Sequence, residues 1–220
     1  MFAVPAIFAC MNRAASFAGV ILAAGNSSRM GRDKALLAWP PPVPQQPTSN
    51  ETFLSAAIRS LFSTTEFVVI VVGKNAAALA PTIYSNGASL VVNHDPSRGQ
   101  FSSLQVGLRE VLNHGRDAAM ITLVDRPPVK DTTIQSLRKA FVAAEEQVWA
   151  VVPEFSGKHG HPLLAGREMI EVFLRAPATS ITRDIEHAHQ HHIRYLPVQD
   201  PFVALNINTP EDYAGLARSS

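Results

Sequence analysis

Short apolar runs alternate with stretches of helical periodicity along most of this chain, and this alternation restricts the fold more than any other feature. The apolar runs are continuous rather than alternating, which is typical of parallel strands covered by helices on both faces. We therefore predict an α/β protein, a three-layer α/β/α sandwich around a Rossmann-like, mostly parallel sheet. The predicted strands are 19–24, 67–72, 89–92, 118–124, 148–152, 193–197 and 202–207. The predicted helices are 52–62, 101–112, 132–144, 167–174, 181–188 and a closing helix that begins at Pro210.

Composition excludes several classes of function. Hydrophobic residues make up 46% of the chain, and the formal net charge is +1, so neither disorder nor a dominant nucleic-acid or polybasic membrane role is supported. The one cysteine, Cys10, excludes an intramolecular disulfide or a Cys-rich metal site and is not expected to be a catalytic thiol. No positive charge precedes the apolar stretch at the start, so residues 1–17 are predicted to be an N-terminal extension of a cytoplasmic domain at 18–220.

Ligands of open α/β sheets bind at the carboxyl ends of the strands, so the loops after Ala24, Val92 and Val124 are the candidate site. The first loop, at 25–34, reads GNSSRMGRDK and carries three cations. Its amides and cations can hold phosphates, although its glycine spacing fits neither the Walker A pattern nor the dinucleotide pattern. The residues alone leave a phosphate cradle and an ordinary surface turn about equally open.

A carboxylate follows the predicted strand at 118–124. Asp125 is succeeded by Arg126 and two prolines, and a carboxylate in that position can ligate a hard cation such as Mg²⁺. A turn or helix-capping role is the alternative, and position alone favours it.

The segment LAAGNSSRMGRDK at 22–34 resembles the opening motif of the nucleotidyltransferases that include the molybdenum cofactor guanylyl- and cytidylyltransferases. Its double alanine and following serine are more similar to the cytidylyl branch. The resemblance implies a nucleotide-diphospho-sugar transferase type of fold and a loop that holds a nucleoside triphosphate, with Arg29 and Lys34 on the phosphates. The implied nucleotide-binding residues of this loop are Leu22, Ala23, Ala24, Gly25, Ser27, Ser28, Arg29, Gly31 and Lys34.

Two further segments resemble metal-binding motifs of that family. Asp125 stands where the family's second motif, L-x-D-x-P-x-V, has its magnesium ligand. The segment NINTPED at 206–212 resembles the closing D-I-D-T-P-E-D, with asparagine at both positions where aspartate is usual. A strand would place Asn206 and Asn208 on one face, so both are candidate Mg²⁺ ligands with Asp125. Capping of the last helix is compatible with this role.

The remaining matches concern the nucleotide's base and sugar and the acceptor. Asn93, Gly99, Ser102 and Ser103 resemble a stretch that approaches the base and sugar, although Ser102 is equally well explained as a helix cap. The turn GKHGHP at 157–162 resembles one that borders the acceptor, which implies that Lys158, His159, Gly160 and His161 bind the acceptor. A solvated hairpin tip is the alternative.

Four histidines lie close together at 187, 189, 191 and 192. Such tracts can bind zinc or nickel, but a junction between a helix and a strand points the rings in different directions. The polar flanks favour solvated histidines over a metal site.

The resemblance implies a Mg²⁺-dependent nucleotidyltransferase that moves CMP from CTP to molybdopterin carrying molybdenum and releases pyrophosphate. Neither a nucleic acid nor a membrane is an expected partner, whereas a molybdoenzyme could receive the product. The alternatives are another phosphorylated acceptor, such as a sugar phosphate, a polyol phosphate or a phospholactate-like acid, or a non-catalytic carrier of nucleotide or molybdopterin. A serine–histidine–aspartate arrangement is not needed because the acceptor phosphate is already an anionic nucleophile.

Overall fold

The computed structural model describes residues 16–25, 30–42 and 49–217. The predictions for Cys10, Ser27, Ser28 and Arg29 lie outside the described residues. The strands are β1 (Phe17–Leu22), β2 (Phe67–Val72), β3 (Ser89–Val92), β4 (Ala118–Leu123), β5 (Ala150–Phe155), β6 (Lys158–His159), β7 (Leu163–Gly166) and β8 (Ile193–Pro197). The helices are α1 (Phe53–Phe62), α2 (Ala76–Ser85), α3 (Gln100–Asn113), α4 (Asp131–Val142), α5 (Arg167–Arg175), α6 (Thr182–Ala188) and α7 (Pro210–Leu216).

The strands form one sheet in the order β3-β2-β1-β4-β7-β5-β6, with β8 paired to β5. β1 runs parallel to β2 and β4, β2 runs parallel to β3, and β5 runs parallel to β8. Among the described strand pairs, only those that include β6 or β7 are antiparallel. The prediction of a mostly parallel α/β sheet is confirmed.

Alternate side chains of each strand enter two separate halves of the core. In β1, Ile21 packs on one face with residues of α1, α2 and α4, while Val20 and Leu22 pack on the other with residues of α3 and α5. We call this second side the α3 face. The approach is close here, since a Cβ on Gly107 of α3 would lie 2.7 Å from Cγ1 of Val20. Helices on both faces complete the three predicted layers.

Three elements, α2, β6 and β7, escaped the sequence analysis, and the first strand begins earlier than predicted. α2 was missed because it contains Pro81, a residue that normally argues against a helix interior. Leu79 and Ile83, one turn apart, are buried and hold this helix to the core. β7 is four residues long and follows a proline, so its pattern is too short to recognise. The first strand begins at Phe17, inside the predicted extension.

The prediction of a strand at 202–207 is wrong. Pro201–Ala204 forms a 3-10 turn, because the Asp200 side chain caps it by accepting a hydrogen bond of 3.1 Å from the Phe202 amide. Asp200 is 1% exposed and also accepts from the Lys130 amide at 2.8 Å and from Thr133 Oγ1 at 2.9 Å. The buried carboxylate therefore fixes a turn where hydrophobicity alone suggested a strand.

In the part of the chain that the structure describes, we find no helix with the length and apolar character needed to cross a membrane.

Candidate active site

A cavity of about 180 Å³ opens at the carboxyl ends of β1 and β4, beside the N-terminus of α3. This is the edge of the sheet to which the loops after Ala24, Val92 and Val124 were assigned. The predicted site residues that line the cavity are Leu22, Ala24, Gly25, Lys34, Gly99, Ser103 and Asp125.

Lys34 is the centre of the charged part of this cavity. Its Nζ lies 3.7 Å from Oδ2 of Asp125 and donates a hydrogen bond of 3.2 Å to Oδ1 of Asn208. Lys34 is only 8% exposed, which is unusual for a lysine and restricts its ammonium group to the cavity. The structure thus brings together three residues that are up to 174 positions apart in sequence.

Asp125 offers a free oxygen for a cation. Its Oδ1 is buried and has no hydrogen-bond partner among the described residues, while its backbone oxygen accepts from the Ile207 amide at 2.8 Å. A magnesium ion at a nucleotide site is typically held by one or two carboxylates together with substrate phosphates. The Asp125 carboxylate and the Asn208 amide oxygen therefore fit such an ion. Among the described residues no cluster of three or more His, Cys, Asp or Glu side chains could hold a metal by itself.

Asn208 is oriented by the start of α7. The amides of Asn208 and Thr209 donate to Oδ2 of Asp212 at 2.8 and 2.9 Å, and these bonds lower the pKa of Asp212. Capping and site formation therefore coexist here, as the sequence analysis allowed. Asn206 is exposed and is not in a strand, so the strand alternation that was expected to pair it with Asn208 is absent, and its role as a metal ligand stays a prediction.

Asn75 holds the glycine-rich loop in place, and the sequence analysis missed it. Its Nδ2 donates to the Ala23 carbonyl at 2.9 Å and to Oδ2 of Asp33 at 2.7 Å. The other oxygen of Asp33 accepts from the Ala35 amide at 3.0 Å and so begins the 3-10 turn that contains Lys34. The only sequence signal for this role is an asparagine three residues after the end of β2.

The residues predicted to approach the base and sugar fall into two groups. Asn93 is buried, and its Nδ2 donates to Oγ of Ser102 and of Ser103, both at 2.9 Å. Ser102 Oγ in turn donates to the Gly99 carbonyl at 2.7 Å. Asn93 and Ser102 thus fix the start of α3, whereas Gly99 and Ser103 line the cavity. Gly99 has a φ of +97°, which favours glycine there.

The predicted acceptor turn packs against the 3-10 turn at 201–204. The Val203 carbonyl accepts from the His161 amide and from Nη1 of Arg126, both at 2.9 Å. A Cβ on Gly160 would overlap that carbonyl, so only glycine allows this approach. Lys158 and His159 are exposed. The sequence analysis named Arg126 only as the residue after Asp125 and did not predict this contact.

Two titratable residues that contact the Val203 carbonyl, His161 and Arg126, are desolvated. Burial and then the charge of Arg126 lower the pKa of His161 to about 3, although its hydrogen bond to the Ile121 carbonyl opposes the shift. Burial lowers the pKa of Arg126, and the charge of Asp125 opposes this shift. His161 is therefore neutral near pH 7.

The histidine tract packs against an aromatic residue. The His192 ring stacks on Trp149 at a centroid distance of 3.4 Å, and its Nδ1 lies 2.7 Å from the Gln147 carbonyl. His189 also contacts Trp149, at 5.8 Å between centroids. These contacts give the two histidines a packing role at the start of β5.

Comparison with known proteins agrees with this arrangement. The chain is 24% identical to the molybdenum cofactor cytidylyltransferase of Escherichia coli over 196 residues, which cover 88% of this chain and 92% of the relative. It is 27% identical to a probable molybdenum cofactor guanylyltransferase of Rhodopirellula baltica over 201 residues, 88% of each chain. A shorter match, 36% identity over 121 residues and 54% of each chain, is to nicotine blue oxidoreductase of Paenarthrobacter nicotinovorans.

Among solved structures, Rv0371c of Mycobacterium tuberculosis superposes with a TM-score of 0.76 at 26% identity, covering 93% of this chain and all of that one. Residues 19–193 match the model of the MobA-like NTP transferase domain. This match spans most of the chain and contains most of β1, the glycine-rich loop and Asp125, and the chain therefore belongs to the MobA-like NTP transferase family.

Proposed function

We propose that this protein transfers CMP from CTP to the phosphate of molybdopterin carrying molybdenum and releases pyrophosphate. The observation that supports this most directly is the convergence of Lys34, Asp125 and Asn208 on one cavity beside the glycine-rich loop. The relatives named as molybdenum cofactor cytidylyl- and guanylyltransferases support the class of acceptor. The double alanine at 23–24 supports CTP over GTP.

The reaction joins two polyanions, so like-charge repulsion is the main obstacle. Lys34 is buried at the cavity wall, where its charge is weakly screened and acts strongly on a triphosphate. Gly25 also lines the cavity, where a backbone amide can donate a hydrogen bond to a phosphate. Lys34 therefore binds the triphosphate and offsets the charge that builds up on the departing pyrophosphate.

Asp125 and Asn208 would hold Mg²⁺, which when bound neutralises phosphate charge and polarises the phosphorus centre. Lys34 lies within 4 Å of both side chains, so it restrains the carboxylate and the amide at one side of the cavity. The backbone bond from Ile207 to Asp125 fixes the segment that carries Asn208 to the end of β4.

Arg126 connects the two ends of the site. Because its guanidinium and the His161 amide share the Val203 carbonyl, the acceptor turn is joined to the residue next to Asp125. The acceptor phosphate already carries negative charge and requires no general base, which agrees with a neutral His161 in this position. The turn therefore positions the acceptor rather than exchanging protons with it.

The test measures pyrophosphate release with molybdenum cofactor as acceptor and CTP, GTP, ATP or UTP as donor, in Mg²⁺. We expect release with CTP and at most weak release with the other three nucleotides. Release with GTP in preference to CTP would overturn the assignment of cytosine as the base of the donor. Release only with another phosphorylated acceptor would overturn the assignment of molybdopterin as the acceptor. Binding of CTP without any release, seen as a shift in Tm, would indicate a carrier.

A further inference from the structure

A stacked pair of rings lies at the acceptor end of the sheet. The imidazole of His159 stacks on the phenol ring of Tyr195 with centroids 3.9 Å apart and an interplanar angle of 12°. His159 is in β6 and Tyr195 is in β8, on opposite sides of β5. The His159 side chain is 49% exposed, so one face of the imidazole is open to a ligand.

Strand register places this pair on the α3 face. Tyr195 is paired with Val152, which packs in the half of the core that contains α3, and His159 is paired with Glu154, two residues further along β5. The cavity next to Asp125 is lined by the first residues of α3. The ring pair and the cavity therefore belong to the same side and the same edge of the sheet.

Two carboxylates flank the rings. Oε2 of Glu154 lies 3.4 Å from Nε2 of His159. Burial raises the pKa of Tyr195, and the charges of Glu186 in α6 and of Glu154 raise it further. Aromatic rings bind planar heterocycles by stacking, and carboxylates accept hydrogen bonds from ring N–H groups. The surroundings favour a planar ligand that presents N–H donors along one edge.

We propose that His159 and Tyr195 form a stacking platform for the ring system of the acceptor, a planar nitrogen heterocycle whose N–H edge faces Glu154. This rests on the proposed function, since it names the part of the acceptor that this end of the site recognises. The platform holds the heterocycle on the α3 face while the acceptor's phosphate reaches the cavity next to Asp125. Tyr195, Glu154 and Glu186 lie outside every motif on which the family resemblance depends.

The test uses 6-hydroxymethylpterin, which lacks a phosphate, and follows the quenching of its fluorescence on titration with the full-length protein. We expect His159→Ala to bind about tenfold more weakly than the wild type, because it removes the ring on which the ligand stacks. Tyr195→Ala should also weaken binding, because it removes the ring that supports the imidazole from its other face. Tyr195→Phe is the matched control, since it keeps the stack and should bind normally. Glu154→Gln should reduce the preference for this pterin over lumazine, which lacks the 2-amino donor.

Equal binding by the wild type and His159→Ala would overturn the platform and leave the ring pair as packing of an edge strand. Two readouts separate this from a failure of the proposed function. His159-dependent pterin binding without pyrophosphate release under any nucleotide would keep the platform and overturn the transferase. Pyrophosphate release with an unchanged KM for the acceptor in His159→Ala would keep the transferase and overturn the platform.

Discussion

The parallel half of the sheet and the half that contains its antiparallel pairs build their ends of the site differently. At the nucleotide end, β1 and β4 are parallel neighbours, and their buried runs stop next to each other and deliver the glycine-rich loop and Asp125 to one cavity. At the acceptor end, β6 and β7 run antiparallel to β5, and the turn between them is placed by a close contact of Gly160 with Val203. Strand order thus defines one end, and the packing and hydrogen bonding of a turn against the Val203 carbonyl define the other.

The first prediction concerns the charged centre of the nucleotide end and has the largest expected effect. Lys34→Ala and Asp125→Asn should each lower kcat by about 100- to 1,000-fold, because each removes a group that acts on phosphate charge. The exposed Lys74→Ala is the matched control and should retain activity. Pyrophosphate release and Tm are measured together, and near-normal turnover in both variants with an unchanged Tm would refute these roles.

The second prediction concerns the steric contact at the acceptor end. Gly160→Ala should lower the free energy of unfolding by about 3 kcal/mol, because the added methyl group overlaps the Val203 carbonyl. Denaturant unfolding measures this loss. Gly215→Ala in α7 meets no atom within 4 Å and should be neutral or slightly stabilising. Similar stabilities for the two variants would show that the turn is not held by this contact.

The third prediction tests whether the nucleotide loop needs support from outside its motif. Asn75→Ala removes the donor to the Ala23 carbonyl and to Oδ2 of Asp33, which should cost about 1–2 kcal/mol of binding energy. Isothermal titration should therefore show CTP binding weakened by about tenfold. Asn86→Ala, whose side chain bonds only near the end of α2, should bind CTP normally. Equal affinities for the two variants would contradict the role of Asn75.

The fourth prediction concerns how the stability of the protein depends on pH through Glu186, which lies near Tyr195 at the acceptor end. Burial raises the pKa of Glu186 from 4.5 to about 7, so the folded protein holds this proton more tightly than the unfolded chain does. Stability from this group is fully present below about pH 4.5 and is lost as the pH rises through about 7. Glu186→Gln should raise the free energy of unfolding near pH 8 by about 1 kcal/mol and have little effect near pH 4. The same gain at both pH values would exclude titration of Glu186 as the cause.

The two ends also differ in how far sequence reasoning reached. Asp125 and the glycine-rich loop were assigned to one edge from their positions after buried strands, because parallel strands bring their carboxyl ends together. The contact of Asn208 with Lys34 agrees with a shared site, but the strand predicted for 202–207 is wrong because the buried Asp200 side chain caps a turn. Asn75, Arg126 and Tyr195 gave no such signal, because an isolated residue acquires its role from a partner distant in sequence.

The amino-acid sequence by itself determined the layered α/β architecture and the edge of the sheet at which the glycine-rich loop and Asp125 lie, because both follow from periodicity and from where apolar runs stop. Only the tertiary structure decided which polar groups support them: Asn75 beneath the loop, Arg126 on the Val203 carbonyl, and His159 stacked on Tyr195. Local pattern encodes which face of an element is buried. Contacts between side chains and distant backbone groups depend on the assembled packing, and no local pattern specifies them.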